Sequence, residues 1–486
     1  MEAGIVAYGA YIPRRRLSRK CIADANAWFN PALHGQSRGE RSMCNWDEDP
    51  ITMAVEAARD CLVGHTREGI RAVHLASTSF PFEDRLNSGV VAQALNLGAD
   101  LESLDVGATQ RAATAGLVTA LRNGCRDGET LFVAAERRRA KAGSTLEMIC
   151  GDGAAAILVG SNKPIARFLG SHSLTVDFVD HYRGRGSAFD YVWEERWVRD
   201  EGYAKLVPAT LAGLFEKLSI DPATIAHFCM PCSIGKVAAS VARMVGIREA
   251  AVHDNLHSVC GEAGAAHSLL MLADALAAAR PGERLLVVGF GQGCDALLFE
   301  ATDELGRLTP RMGVRGHLAR RCDEANYSRF LAFNDLVQLD RGMRAELDKQ
   351  TPLSTLYRKR DMVLALNGGR CTKCGTLQFP KSNVCVDPAC NAFHSQDDYP
   401  FAERTGKVMS HTADLLTYSP DPPAICGMVQ FDGGGRIMMD FTDVDMTEVA
   451  VGLPMRMVFR VKDYDTQRGF TRYFWKATPS FAGRGD

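Results

Sequence analysis

Residues 1 to about 300 alternate between strand-like and helix-like segments, and this alternation limits the possible folds more than any other feature. The first set has strands at residues 4–13, 72–78, 130–135 and 153–159 and helices at residues 51–63 and about 111–123. The second set has strands near residues 165–169, 226–230, 284–289 and 296–299 and helices near 206–218, after 236 and at 265–279. Such alternation predicts an α/β fold of mostly parallel, buried strands, and its recurrence predicts duplicated halves.

Length and composition narrow the class of protein further. A chain of 486 residues is too long for one hydrophobic core, so several domains are expected. With 46% hydrophobic residues, 23% charged residues and a net charge of −2, nothing indicates nucleic acid or a membrane surface as a partner. Because no apolar run of about 18 residues and no signal peptide occur, we expect a soluble, cytoplasmic protein. The 15 cysteines are then predicted to be reduced thiols, apart from any metal cluster.

The C-terminal third differs in character from the rest. Residues 303–365 are charged and helix-prone, which predicts a helical connector. Two cysteine pairs follow, Cys371 with Cys374 and Cys385 with Cys390, and such pairs close a tetrahedral, structural Zn²⁺ site. Strand-like runs separated by Gly, Pro and Asp then predict a small antiparallel barrel. The predicted domains are residues 1–165, 166–302, 303–365, 366–400 and 401–486.

The stretch of residues 101–117 runs from an apolar segment through small residues into a helical pattern. A turn of this kind lets the backbone approach a ligand closely and leaves N–H groups free at the helix start, where an oxyanion is stabilised. Gln110 stands at the corner, where many enzymes place a nucleophile, although a carboxamide is not one. The alternative interpretation is a small-residue helix packed tightly against a sheet.

Three motifs carry a resemblance to known families: residues 289–293 (Gly-Phe-Gly-Gln-Gly), residues 151–156 (Gly-Asp-Gly-Ala-Ala-Ala), and the four cysteines with Phe379-Pro380 between the pairs. Residues 1 to about 300 resemble the thiolase superfamily, in particular ketoacyl-ACP synthase III and hydroxymethylglutaryl-CoA synthase. Residues from about 325 onward resemble the zinc-ribbon and OB-fold module that accompanies thiolase-like proteins. The resemblance implies duplicated halves in αβαβα layers, a homodimer and an acyl-CoA substrate.

This chain departs from the resembling families at each catalytic position. Their nucleophilic cysteine stands five residues after an aspartate, where this sequence has Gln110. Their asparagine corresponds to Glu262, and the glutamate of the hydroxymethylglutaryl branch corresponds to Thr78. Their histidine corresponds to Cys232 or, in a second alignment, to Cys229. Without a thiol at position 110, a condensation through an acyl-enzyme at that position is not expected.

The resemblance therefore implies aldol or retro-aldol chemistry on a β-hydroxyacyl-CoA that needs no cysteine. Glu262 is the predicted proton carrier, and Gln110 is predicted to orient the thioester or enolate, as in decarboxylating ketosynthases that carry glutamine there. Gly291 and Gly293 are predicted to bind the thioester through backbone N–H groups, and Thr78 is the fourth site candidate beside Cys232.

Several alternatives stay open at this point. Cys232 could serve as a relocated nucleophile in a hydroxymethylglutaryl-CoA synthase-like acyltransferase, or the chain could be a non-catalytic CoA-binding scaffold. One of His253, His257 and His267, which flank Glu262, could replace the missing histidine. The arginine clusters at residues 14–16 and 137–139 could bind CoA phosphates or form a solvated surface.

Overall fold

The computed structural model describes residues 3–123 and 128–480. The chain forms two compact units. The first unit comprises Met1–Asn45, Asp49–Gly89 and Ala99–Val337, and the second comprises Trp46–Glu48, Val90–Gly98 and Gln338–Asp486. Among the described residues, no helix has both the length and the apolar character needed to cross a bilayer.

The first unit contains most of the regular structure. Its strands are β1 (Gly4–Tyr11), β2 (Arg15–Ser18), β3 (Glu40–Met43), β4 (Ile70–Ala76), β5 (Glu102–Val106), β6 (Glu129–Glu136), β7 (Gly153–Gly160), β8 (Ala166–Thr175), β9 (His181–Tyr182), β10 (Tyr191–Val192), β11 (Ile225–Cys229), β12 (Arg284–Phe290), β13 (Gly293–Ala301) and β14 (Cys322–Glu324). Its helices are α1 (Arg19–Asn26), α2 (Pro50–Cys61), α3 (Asn87–Ala94, which runs into the second unit), α4 (Ala112–Asn123), α5 (Thr145–Ile149), α6 (Glu195–Trp197), α7 (Ala204–Leu218), α8 (Val237–Met244), α9 (His257–Cys260), α10 (His267–Ala278), α11 (Gly313–Ala319) and α12 (Tyr327–Phe333).

A nine-stranded sheet in the order β11-β12-β13-β8-β1-β7-β6-β4-β5 organises this unit. The pairs β11–β12, β4–β5 and β4–β6 are parallel, and the other five pairs are antiparallel. The expectation of mostly parallel strands was therefore wrong. The physical reason is that each half ends in two successive strands, β6 with β7 and β12 with β13, which turn back and pair with each other as hairpin-connected strands do.

The sheet confirms the predicted duplication. The first half has the order β1-β7-β6-β4-β5 and the second the order β8-β13-β12-β11, and the two join where β1 pairs with β8. A parallel bridge between Phe228 and Val252 stands in the second half at the position that β5 occupies in the first. The α/β class with duplicated, thiolase-like halves is thus confirmed.

Helices α4 and α10 pack into one large apolar cluster of this unit. Ten residues of α10 are buried, from His267 to Leu276, because the helix is apolar on all sides. Helix α2 was predicted as amphipathic, but all of its residues except Arg59 are buried. It starts at Pro50 behind a capping box in which Asp49 and Thr52 satisfy each other's backbone N–H groups, so its first turn needs no water.

The second unit contains the predicted ribbon and barrel. Its further elements are α13 (Leu353–Arg358), α14 (Arg360–Val363), β15 (Asn367–Cys371), β16 (Leu377–Gln378), β17 (Gln396–Pro400), β18 (Thr405–Asp414), β19 (Ala424–Phe431), β20 (Arg436–Asp440), β21 (Pro454–Asp465) and β22 (Phe470–Pro479). Strands β16-β15-β17 form one antiparallel sheet and β20-β19-β18-β21-β22 another. A bridge between Phe441 and Ala477 brings the chain after β20 back to β22, which closes the second sheet as a barrel requires.

Candidate functional site

The turn between β5 and α4 carries Gln110, as the sequence predicted. Helix α4 begins at Ala112, and Ala108 has a φ of +70°, a left-handed conformation that non-glycine residues rarely adopt. The Thr109 hydroxyl donates to the Gly291 carbonyl at 3.1 Å and accepts from the Arg111 N–H at 3.3 Å. The turn is therefore fixed to the loop after β12 as well as to its own helix.

The loop of residues 289–293 approaches this turn because its glycines have no side chains. A Cβ at Gly289 would lie 2.0 Å from the Thr114 hydroxyl, and a Cβ at Gly291 would lie 3.1 Å from the Thr109 hydroxyl. Gly293 has a φ of +116°. The Gly291 N–H donates to the Gly293 carbonyl at 3.0 Å, so the backbone donor that the sequence suggested at Gly291 is engaged within the loop. The absence of a side chain at Gly291 therefore shapes the wall of the site beside Gln110.

The Gln110 carboxamide is held by a buried arginine. Its oxygen faces Arg138, because a guanidinium has only donors, and accepts from the two terminal nitrogens at 2.7 and 3.0 Å. Asp190 binds Arg138 in turn, with its Oδ2 at 2.9 Å from Nε and 2.7 Å from Nη2. Burial by itself lowers the pKa of Arg138, but Cys150, Glu262 and Asp190 raise it above its usual value. Arg138 is therefore a fixed cation at the centre of the site.

The charge of Glu262 acts on the same arginine. Its backbone pairs with the chain around Cys150: the Glu262 N–H donates to Ile149 and its carbonyl accepts from Gly151, both at 2.9 Å. The side chain is half-buried, and its negative charge raises the pKa of Arg138 and of Cys232. Gln110 thus binds Arg138 directly, and Glu262 acts on the same guanidinium through its charge.

Thr78 does not contribute a carboxyl group, but it contacts one. Its N–H and its hydroxyl each donate to Glu136 at 3.0 Å, and Ser79 donates to the same carboxylate through its hydroxyl. Glu136 is fully buried and also accepts from the Ala265 N–H at 3.3 Å. Sequence reasoning missed Glu136. The available signal was that Glu136 ends β6 and Thr78 follows β4, since the ends of neighbouring parallel strands meet at one edge of a sheet.

The two candidate cysteines point to different surroundings. The Cys232 thiol donates to the Ile234 carbonyl at 3.7 Å, and burial raises its pKa to about 12, with the charge of Glu262 acting in the same direction. Burial also raises the pKa of Tyr203, and Cys232, Glu262 and Asp180 raise it further, which places this phenol among them. The Cys229 thiol instead donates to the Met271 carbonyl in α10 at 3.6 Å. Cys232 is therefore the cysteine that borders Glu262.

Two of the three histidines proposed from the sequence, His253 and His267, have hydrogen-bond partners of their own. His253 Nε2 lies 2.8 Å from Asp274, and His267 bonds the Asn255 carbonyl at 2.7 Å and accepts from the Ala263 N–H at 3.1 Å. Burial lowers the pKa of His257 to about 3, and the charge of Arg19 acts in the same direction. The hydrogen bonds of His253 and His267 hold these two rings in the framework around α10.

A fourth histidine, which the sequence analysis missed, contacts Gln110. His181 Nε2 lies 3.0 Å from the Gln110 carboxamide, and its Nδ1 lies 2.8 Å from the Asp180 carboxylate. His181 belongs to the short β9–β10 hairpin, a segment without a recognisable motif. The pattern that could have drawn notice is an Asp-His pair inside an aromatic-rich stretch between two predicted elements.

The arginine clusters are engaged with the protein itself. Arg16 is buried, and Arg15 pairs with Glu324 at 2.9 Å. Arg137 donates to the Phe333 carbonyl at 2.6 Å and Arg139 to the Asn334 carbonyl at 2.8 Å. A purely solvated surface was thus the wrong expectation for these four arginines, because carbonyls and carboxylates of later segments bind them.

The four predicted metal-ligating cysteines meet in the second unit. All four sulfur atoms lie within 4.8 Å of one another, with Cys371 and Cys390 at 3.9 Å and Cys374 and Cys385 at 3.5 Å. A tetrahedral site with Zn–S bonds of about 2.3 Å has sulfur atoms about 3.8 Å apart, so the four thiols fit a zinc ion. The Ser395 hydroxyl lies 3.3 Å from the Cys371 sulfur and, as the largest cause, lowers the pKa of Cys371 to about 6. The other described cysteines are free thiols, as expected of a reduced protein.

Comparisons with known proteins agree with the fold described above and with the zinc ribbon and OB-fold at the C-terminal end. Residues 365–393 match a family model described as the rubredoxin-like zinc ribbon domain of ChsH2, and residues 399–460 match its C-terminal OB-fold domain. Among solved structures, a hydroxymethylglutaryl-CoA synthase complexed with CoA superposes with a TM-score of 0.60 at 18% identity, covering 71% of this chain and 93% of that chain. Xanthomonas campestris OleA with bound lauric acid and lauroyl-CoA gives a TM-score of 0.54 at 18% identity, covering 62% of this chain and 99% of that chain.

Proteins with related sequences are also named hydroxymethylglutaryl-CoA synthase. A hydroxymethylglutaryl-CoA synthase of Caldivirga maquilingensis is 28% identical over 354 residues, which is 70% of this chain and 100% of that protein. One of Archaeoglobus fulgidus is 32% identical over 316 residues, which is 62% of this chain and 90% of that protein. With these matches and the fold described above, the chain belongs to the hydroxymethylglutaryl-CoA synthase family, extended at its C-terminus by a zinc ribbon and an OB-fold.

Proposed function

We propose that this protein makes or breaks a carbon–carbon bond in an acyl-CoA thioester by aldol or retro-aldol chemistry, without an acyl-enzyme. The observation that carries the proposal is that the Gln110 carboxamide binds Arg138 and that the charge of Glu262 acts on the same guanidinium. A carboxamide and a carboxyl group there support orientation and proton transfer, whereas acyl transfer needs a nucleophile. Its relatives' names support a CoA thioester as the substrate.

Each group has a defined part in the cleavage of a β-hydroxyacyl-CoA. Glu262 removes the proton of the β-hydroxyl group, and the electron pair of the Cα–Cβ bond passes to the thioester as an enolate. The oxygen of Gln110 is bound by Arg138, so its amide nitrogen is directed away from the guanidinium and donates to the thioester oxygen. Protonation of Cα then gives the shorter acyl-CoA, and the β-carbon leaves as a carbonyl compound.

The C-terminal extension is proposed to be structural. Cys371, Cys374, Cys385 and Cys390 would hold one Zn²⁺ ion, and four thiolates leave no open position for a substrate or a water. The ion would fix the turns that carry the cysteine pairs.

We also propose a homodimer. Strand β5 ends the strand order of the nine-stranded sheet, and Leu104 within it is 45% exposed, which suits pairing with a second copy. Light scattering should give twice the mass of the chain, and Leu104→Lys should shift the protein toward the monomer. A monomeric wild-type protein would contradict this assignment.

The proposed reaction is tested with a panel of β-hydroxyacyl-CoAs and detection of acetyl-CoA or propionyl-CoA together with a carbonyl product. Glu262→Gln should lower cleavage by about 100- to 10,000-fold, the usual contribution of a general acid–base group. Glu216→Gln, at an exposed position of α7, is the matched control and should retain the wild-type rate. Cleavage at the wild-type rate by Glu262→Gln would overturn the assignment of Glu262.

A further inference from the structure

The β9–β10 hairpin brings a histidine and an aspartate to Gln110 from a part of the chain that carries no catalytic motif. His181 Nε2 lies 3.0 Å from the Gln110 carboxamide, and His181 Nδ1 lies 2.8 Å from Asp180. Both side chains are largely buried, at 16% and 14% exposure. An imidazole held between a carboxylate and the reacting region is a common arrangement for proton transfer.

The hydrogen bonds around Gln110 indicate which nitrogen of the His181 ring carries a proton. Arg138 has only donors, so the Gln110 atom that faces it is the oxygen. The same oxygen is the atom that faces His181 Nε2, and an amide oxygen only accepts, so Nε2 carries a proton. The Asp180 carboxylate likewise accepts from Nδ1. In this arrangement, His181 carries a proton on Nε2, the nitrogen that faces Gln110.

The hairpin is anchored at several points, which keeps the ring in place. Asp190, which precedes β10, binds Arg138 and also accepts from Arg183 at 2.8 Å. Arg183 in turn donates to the Thr78 carbonyl, and the Trp193 N–H donates to the Asp180 carbonyl at 2.9 Å. Rigid placement of this kind is what a proton-transfer group needs, since small displacements reduce its rate steeply.

We propose that His181, oriented by Asp180, is the catalytic group that exchanges a proton with the α-carbon of the acyl-CoA. The inference rests on the proposed function, in which Glu262 handles the proton of the β-hydroxyl group. In cleavage, the Nε2–H bond breaks as the electron pair of the enolate forms a Cα–H bond, which leaves a neutral imidazole. The proton on Glu262 then returns to His181 through solvent, so the cycle needs no further reactant. In the aldol direction, the neutral ring removes the α-proton.

The test follows the α-protons of acetyl-CoA and propionyl-CoA in D₂O by NMR, because their exchange requires an enolate but no carbon–carbon bond cleavage. The wild-type protein should catalyse exchange over a range of pH. His181→Ala should reduce the rate by about 100-fold or more, and added imidazole should restore part of it, which a purely structural role would not allow.

His253→Ala is the matched control, because His253 is also paired with an aspartate at 2.8 Å but lies against Asp274. It should exchange at the wild-type rate. Equal exchange in His181→Ala and wild type, or no exchange by the wild type, overturns the role of His181. Exchange that depends on His181, without cleavage of any β-hydroxyacyl-CoA, would refute the proposed reaction and leave the role of His181 intact.

Discussion

A carboxamide at position 110 can hold a charge network that a thiol would not. Its oxygen accepts from the Arg138 guanidinium and lies beside His181, so one side chain links the guanidinium to the imidazole. Asp190 and Asp180 each bind one of these groups, at 2.7 and 2.8 Å. Charged donors and acceptors paired in this way keep buried polar groups satisfied. Gln110 is therefore part of a fixed polar framework.

Gln110 was proposed from the small-residue turn itself, whereas Glu262, Thr78 and Cys232 were proposed from the family resemblance. Their roles stay predictions. His181 could not be found in the same way. Its position depends on the hairpin reaching Arg138 through Asp190, 52 residues away along the chain. Contacts at such separation leave no periodic pattern in a single sequence.

Cys232 tests the alternative in which a relocated cysteine forms an acyl-enzyme. Because burial raises the pKa of its thiol to about 12, the nucleophilic thiolate is scarce at neutral pH. Intact-protein mass spectrometry after incubation with acetyl-CoA should therefore show no acyl adduct on this residue. Cys232→Ser should keep cleavage within a few-fold of the wild type. An acyl adduct that disappears in Cys232→Ser would support the acyltransferase instead.

At the scale of single elements, the sequence placed most strands of the nine-stranded sheet and the helices α2, α4, α7, α8 and α10, because buried strands and helices differ in length and period. The short elements were missed, namely β2, β3, β9, β10, α1, α3, α5, α6 and α9. Whether neighbouring strands run parallel or antiparallel was harder to predict from the sequence. The run of β12 into β13 through two residues fixes an antiparallel pair, yet both strands are uniformly apolar and look like parallel strands in a sequence. The full burial of α2 likewise depends on partners far along the chain.

The contact between α4 and β12 explains the first glycine of the 289–293 motif. A Cβ on Gly289 would lie 2.0 Å from the Thr114 hydroxyl and 2.7 Å from its methyl group. Gly289→Ala should therefore lower the free energy of unfolding by about 1–3 kcal/mol, as overpacking of a core does. Gly306→Ala, where nothing lies within 4 Å, is the matched control and should change it by less than about 0.5 kcal/mol. Denaturant unfolding of both variants measures the difference.

The zinc ribbon makes a prediction about metal content. The purified protein should carry one zinc ion per chain by elemental analysis, and Cys374→Ser should remove most of it, because three thiolates hold the ion far less tightly than four. Cys426→Ser is the control, since this cysteine lies in β19 outside the cluster, and it should retain zinc. Protein without zinc, or full zinc occupancy in Cys374→Ser, would contradict the assignment.

At the scale of the whole molecule, the units do not follow the linear order of the chain. Residues Trp46–Glu48 and Val90–Gly98 belong to the second unit although they precede most of the first. The predicted connector of residues 303–365 is divided between the units at Val337. The five-domain division, with boundaries at 365/366 and 400/401, stays a proposal. The sequence does not show that the three residues Trp46–Glu48 belong to a unit formed mainly by residues after 337, because the partners of these residues meet only when the chain folds.

Within the segment Trp46–Glu48, Asp47 is expected to contribute strongly to the stability of the second unit. Asp47 is fully buried there and accepts from Lys476 at 2.8 Å and from Thr442 at 3.0 Å, with the Arg460 guanidinium at 3.8 Å. Asp47→Asn removes the charge and leaves two buried cations with one partner fewer. The free energy of unfolding of this unit should fall by about 3–5 kcal/mol, the usual result of breaking a buried ion pair.

The exposed pair of Asp440 and Lys462 provides the comparison. Its atoms are 3.0 Å apart, nearly the distance of the buried pair, but both side chains are more than 40% exposed. Water and salt screen this pair, so Asp440→Asn should cost less than about 1 kcal/mol. Chemical unfolding followed by the fluorescence of Trp475, which is buried in the same unit, distinguishes the two variants. Equal effects of the two substitutions would mean that burial of Asp47 does not strengthen its ion pairs, and Trp46–Glu48 would then contribute little to the stability of the second unit.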